Sequence, residues 1–218
     1  DVIVFAGVHF MAESASILCP DKKVLLPRLE AGCALADMIN TAELAKVKIN
    51  NPGVPIVTYI NSTAGIKSLS DICCTSSNAI NIVKSLHTDK KIIMLPDGNL
   101  ARYTAKFTDK EIIPWHGYCP VHHFLTIKSV QQAKAKFPGA PFAAHPECTP
   151  EVLELADFVG STGGILKFAR DCDAMEIIIG TETGVLHQLK KQNPGKTFIP
   201  ASENLICETM KSITLEDV

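Results

Sequence analysis

The sequence predicts an α/β protein: three α/β/α domains around a pseudo-threefold axis, with parallel sheets and an incomplete first domain. Three observations carry that expectation. Short β-branched runs alternate with helical stretches along the chain, the signature of βαβ units and parallel sheets. A phrase made of a lysine, a short strand, a proline and then a cysteine occurs three times. Two further phrases recur at one fixed step, and a period that long is domain-sized, unlike a solenoid repeat.

The first phrase is Lys22-Lys23-Val24-Leu25-Leu26-Pro27 leading to Cys33. It returns around Glu111-Ile112-Ile113-Pro114, leading to Cys119, and as Lys196-Thr197-Phe198-Ile199-Pro200, leading to Cys207. The cysteines are 86 and 88 positions apart. Pro55 to Asn61 recurs as Pro141 to Glu147, and Asp71-Ile72-Cys73-Cys74 as Asp157-Phe158-Val159-Gly160, both 86 positions on. These steps divide the chain into a remnant of a first repeat over 1–36, a second repeat over 37–123 and a third over 124–218. A third copy of the phrase holding Tyr59 would fall ahead of residue 1, and the chain opens without Met in the apolar run Val2-Ile3-Val4-Phe5. A fragment lacking the front of its first repeat is therefore expected.

In order, the pattern predicts strand 2–5, helix 11–18 closed by Pro20, and strand 24–26. Thr41 is expected to cap a helix ending near Asn51-Pro52-Gly53. Strand 56–60, helix 64–70 and strand 71–74 follow. Thr75-Ser76-Ser77-Asn78 reads as a capping cluster ahead of a helix from Ala79, then strand 92–95, a helix near 99–107 and strand 111–114. The third repeat copies this scheme. A helix from Thr126 stops at Pro138-Gly139, and strand 141–144 follows. Thr149-Pro150-Glu151 opens a helix with Pro in its first turn. Strands 157–160, 176–179 and 197–200 follow, with a helix through Leu186 and Leu189 stopped by Asn193-Pro194-Gly195.

The 218 residues are 46% hydrophobic, enough for sizeable cores, and 21 basic residues balance 23 acidic ones. No basic excess points to nucleic acid. No apolar run is long enough to span a membrane, and the start has no signal-peptide pattern. A cytoplasmic protein with neither nucleic-acid nor membrane partners is expected. The eight cysteines include no Cys-x-x-Cys pair, and the apolar core argues against a secreted disulfide scaffold. Cys19, Cys73, Cys148 and Cys172 read as buried small residues.

Cys33, Cys119 and Cys207 are different, because three equivalent cysteines cannot pair as disulfides. They point to a shared metal centre. An iron–sulfur cubane held by three thiolates keeps one iron free of cysteine, able to polarise a substrate oxygen. One zinc with three cysteines and a water fits the spacing as well. Tyr59, Asn61, His145 and Glu147 end equivalent strands, and His145 and Glu147, two apart on extended backbone, can point the same way. Such a pair suits proton exchange with a substrate. Thr75 to Asn78 and Ser161-Thr162-Gly163-Gly164 both precede helices, where hydroxyls and free N–H groups hold phosphate or carboxylate, or merely cap the helix. His122 and His123 have no counterpart beside Cys33 or Cys207 and are read as supporting or structural residues.

Together these phrases resemble the quinolinate synthase family. The resemblance rests on Gly7 to Glu13, Tyr59-Ile60-Asn61-Ser62-Thr63, Cys74 to Ala79, Gly117 to His122, His145-Pro146-Glu147-Cys148, Gly160 to Gly163 and Gly180-Thr181-Glu182. It implies a [4Fe-4S] cluster on Cys33, Cys119 and Cys207. It implies condensation of iminoaspartate with dihydroxyacetone phosphate to quinolinate, phosphate and water, in NAD biosynthesis. L-aspartate oxidase or aspartate dehydrogenase would supply the iminoaspartate. Substrate contacts are implied at Tyr59, Asn61, Ser76, His145, Glu147, Ser161 and Thr162, with Glu147, His145 and Tyr59 catalytic. The family also has an N-terminal Ala-His-x-Tyr phrase with a catalytic Tyr, and a C-terminal helical extension, so turnover is expected of the intact protein. An iron–sulfur sensor or scaffold without turnover, or an inactive fragment, is the alternative.

Overall fold

Buried strands that alternate between two covered faces define the second and third repeats. The computed structural model describes residues 1–88 and 91–218. In chain order the elements are β1 (Val2–Val4), α1 (His9–Leu18), β2 (Lys23–Leu25), α2 (Thr41–Asn50), β3 (Ile56–Tyr59), α3 (Ala64–Ser68), β4 (Ile72–Cys74), α4 (Ala79–Ser85), β5 (Ile92–Leu95), α5 (Gly98–Ala105) and β6 (Ile112–Pro114). Then come α6 (Pro120–His123), α7 (Ile127–Lys136), β7 (Phe142–Ala144), α8 (Pro150–Leu153), β8 (Phe158–Val159), α9 (Thr162–Asp171), β9 (Glu176–Gly180), α10 (Val185–Gln192) and β10 (Thr197–Pro200). Each strand lies within a residue or two of its expected position, the usual uncertainty at element ends.

All pairings between these strands are parallel, in three sheets. One has two strands, β1-β2. The others have the orders β4-β3-β5-β6 and β8-β7-β9-β10. The two larger sheets thus share one topology, with their first strands inside and their second strands at the edge. Val57, Tyr59, Ile92 and Met94 pack into one cluster, and Ile56, Ile93 and Leu95 into another on the opposite face. Phe142, Ala144 and Ile178 separate likewise from Ala143, Ile177 and Ile179. Period-2 alternation with both faces buried requires helices on both sides, as parallel sheets generally have. The two-stranded sheet is barer: Val2, Val4 and Leu25 are at least half exposed.

The recurring sequence phrases have structural causes. Asp71 and Asp157 each accept the first strand's N–H through Oδ2, from Ile56 (2.7 Å) and Phe142 (2.8 Å). In the second and third copies the phrase lysine is a helix-end donor. Lys110 Nζ reaches the carbonyls of Val83 (2.9 Å), Lys84 (3.2 Å) and Leu86 beyond α4. Lys196 Nζ does the same to Ala169 (2.8 Å) and Cys172 after α9. A cation on the orphan carbonyls of a helix C-terminus is favourable. One expected cap differs: Asn40, and not Thr41, caps α2, in a reciprocal box with Glu43 (2.9 and 3.1 Å).

Candidate active site

The strand order of the larger sheets reverses between β3 and β5, and between β7 and β9. In open α/β sheets, the crevice beyond the strands' carboxyl ends at such a point is where ligands bind. Tyr59 and Asn61 lie there in one sheet, His145 and Glu147 in the other. The last strand of each sheet leads to a cysteine. One backbone bond fixes each of these cysteine loops. His9 N–H donates to the Ala31 carbonyl (2.7 Å), Gly98 N–H to Gly117 (2.8 Å) and Thr183 N–H to Leu205 (2.8 Å). Each acceptor stands two residues before its cysteine. Gly98 and Gly117 permit the approach in the second repeat. A Cβ on Gly98 would sit 2.3 Å from the Trp115 carbonyl, and one on Gly117 2.4 Å from that of Pro96.

The outcome is that Cys33, Cys119 and Cys207 line one cavity of ≈ 350 Å³ together with Tyr59, Asn61, His145, Glu147 and Thr162. Two expected residues stand aside from it. The Ser161 hydroxyl caps α9, accepting from Gly164 N–H (3.2 Å). Ser76 acts on the Tyr59 phenol. Its loop is closed by Asn78, whose Oδ1 accepts from Thr75 N–H (2.6 Å), so the two hydroxyl clusters are closed by different residues.

Glu147 is the electrostatic centre. It is buried, and its Oε2 lies 2.6 Å from His122 Nδ1 and 3.6 Å from His145 Nδ1. Burial alone would raise its pKa, but the facing His145 and His122 overturn that and hold the carboxyl below the usual carboxylate range. Its Oε1 is buried without a hydrogen-bond partner. Burial holds His145 down to about 4, so its imidazole is neutral near pH 7. His145 Nδ1 accepts from Glu147 N–H (3.3 Å), which leaves the ring proton on Nε2. Tyr59 is pushed well above its ordinary value by burial, then by the Glu147 charge, and keeps its proton.

The thiols fit a cationic centre. Burial pushes Cys33 up to about 11, against the amides of Ala36 and Leu35, and pushes Cys119 far above a normal thiol, with the Glu147 charge adding. A bound metal supplies the positive charge that such thiolates need. Donor atoms of Cys119, His122 and Glu147 also lie within 4.8 Å of one another and could hold a metal ion.

His122 is the residue sequence reasoning undervalued. Cys119 precedes α6, whose Pro120 starts the helix, and His122 falls one turn on. Its Nδ1 meets both Glu147 and the Cys119 sulfur (3.2 Å), its Nε2 lies 2.8 Å from the Thr181 hydroxyl, and its ring stacks on His145. The one available signal was the Cys-x-x-His spacing, a common metal-site separation.

The family described as quinolinate synthetase A protein matches residues 1–218. A quinolinate synthase of Geotalea uraniireducens (strain Rf4) is 58% identical over 217 residues, covering 100% of this chain and 71% of its own. One from Geobacter sp. (strain M21) is 55% identical over 218 residues, with 100% and 71% covered. One from Methanoregula boonei is 50% identical over 218 residues, with 100% and 72% covered. With the match running the whole length of the chain, and so through every residue of the cavity, this chain belongs to the quinolinate synthetase A family.

Proposed function

We propose that this chain carries the site of a quinolinate synthase that condenses iminoaspartate with dihydroxyacetone phosphate to quinolinate, releasing phosphate and water, in NAD biosynthesis in the cytoplasm. The observation that supports it most is the meeting of three thiols, an ionised buried carboxylate and a neutral imidazole on one cavity. Cys33, Cys119 and Cys207 would hold a [4Fe-4S] cluster. Such a cluster supplies a Lewis-acidic iron at the position without a cysteine.

The protein groups divide the proton work. His122 engages Oε2 of Glu147, so Oε1 is the free acceptor for a proton taken from substrate. The Nε2–H of His145 and the phenol of Tyr59 are donors to developing oxygen charge. Thr162, in the first turn of α9, faces the cavity where the helix dipole favours a carboxylate or phosphate. Apolar Val8, Phe10 and Val185 on the wall limit water. Iminoaspartate would come from an L-aspartate oxidase or aspartate dehydrogenase.

The test is anaerobic reconstitution with ferrous iron and sulfide, followed by iron analysis and chromatographic assay of quinolinate. About four irons per chain, with product formed and both lost in Cys119→Ser, are expected. Folded protein that takes up no iron and forms no product overturns the reading. Zinc in place of iron would favour a mononuclear centre on Cys119, His122 and Glu147, which their proximity admits.

A further inference from the structure

The pseudo-threefold bond that fixes the cysteine loops carries a feature present in two repeats and missing from the other. The residue just before its donor is Asp97 in the second repeat, Glu182 in the third and Val8 in the first. Asp97 Oδ1 accepts from Leu100 N–H at the start of α5 (2.7 Å), and Oδ2 accepts from the N–H of Cys119 itself (3.1 Å). Glu182 repeats the device: Oε2 accepts from Gly184 N–H (2.7 Å), and Oε1 from Cys207 N–H (3.3 Å). Lys211 Nζ neutralises Glu182 from outside at 2.7 Å. Asp97 is 1% exposed, and Leu100 is buried with it. Val8 is buried too and offers Cys33 no acceptor.

We infer that Asp97 and Glu182 are positioning residues for the metal centre proposed above: each holds one cysteine by its backbone amide, and Cys33 goes without. The amide of a ligating cysteine is a common donor to cluster sulfur, and such donors raise the reduction potential. Here two of the three amides are taken up by carboxyl oxygens and are turned away from sulfur. Withdrawing those donors keeps the potential low, as suits a centre that serves as a Lewis acid and not as an electron carrier. Cys33 lacks this carboxyl contact, and the amides of Ala36 and Leu35 act on its sulfur instead.

Asp97→Asn and Glu182→Gln test this, because one end of the amide opposes an N–H where the carboxylate accepted two. In reconstituted protein each variant is expected to shift the midpoint potential positive and to lose iron to a chelator roughly 10- to 100-fold faster, the usual size of an outer-layer effect on metal affinity. In metal-free protein, iodoacetamide labelling read by mass spectrometry should rise at Cys119 in Asp97→Asn and at Cys207 in Glu182→Gln, with Cys33 unchanged in both. Unchanged potential and iron loss, or a uniform rise at all three cysteines, overturns the inference. It rests on the metal-centre reading, yet the two fail differently. Wild type that binds no iron sinks the reading, while wild type that loads alongside variants that load and titrate identically sinks only the inference.

Discussion

Glu147→Gln separates a catalytic carboxylate from a structural ion pair, because the two roles predict opposite balances of activity and stability. The side chain is 3% exposed and lies 2.6 Å from His122 Nδ1. The amide keeps the shape, and its oxygen can still accept from His122. The ionised base is lost, and a positioned acid–base group contributes roughly 10²- to 10⁴-fold, or about 3–5 kcal/mol on the barrier. Stability should move little. An unpartnered buried polar atom costs about 1–3 kcal/mol, and that cost is already present at Oε1 in the wild type. Neutralising a buried charge also removes its desolvation penalty. The expected result is a kcat loss of about two to four orders of magnitude, with urea unfolding of the metal-free protein shifted by under ~1 kcal/mol in either direction. Quinolinate formation under anaerobic conditions and urea midpoints are the two assays. Activity within about threefold of wild type, or a stability loss above ~3 kcal/mol with activity falling in proportion to folded protein, would refute the base role.

His145 is depressed from 6.5 to about 4, so between those values the unfolded chain binds a proton that the folded one refuses. Stability should therefore fall as pH drops from 6.5 toward 4, by ~3 kcal/mol at full extent, and His145→Gln should flatten that slope in urea midpoints taken across the window. The lowered carboxyl of Glu147 acts with the same sign at the acid end, its stabilisation lost as pH falls. Lys196→Met leaves the Ala169 and Cys172 carbonyls without their donor and should cost about 1–3 kcal/mol, read as a lower urea midpoint at unchanged slope, with Lys110→Met behaving alike. Gly98→Ala drives a Cβ against the Trp115 carbonyl, so it should cost about 1–3 kcal/mol and displace the Cys119 loop. Reconstituted Gly98→Ala should accordingly hold less iron than wild type, whereas Gly139→Ala, with open space around it but positive φ, should lose stability without losing iron.

Local pattern decided the fold. The strands announced themselves as β-branched runs closed by proline, and their burial on both faces follows from parallel pairing. The 86-residue step was legible because Asp71 and Asp157 make the same bond to their neighbouring strands, and Lys110 and Lys196 the same bonds to their helices. Repeated geometry demands repeated residues, so the period also marked Cys33, Cys119 and Cys207, and Tyr59 with His145. What departs from symmetry could not be read that way. His122 has no counterpart in the other repeats, and its importance comes from Glu147, which arrives from another sheet. The loops holding Ser161 and Ser76 share the composition of anion-binding loops, but Ser161 itself caps α9 whereas Asn78 closes the other turn, a difference composition does not show. Asp97 and Glu182 differ in length and name, and only the fold reveals that both reach a cysteine amide. Sequence by itself determined which elements form and which residues are equivalent, because these depend on neighbours along the chain. Tertiary structure alone decided which side chains meet across the cavity, because those distances are set by how three sheets converge.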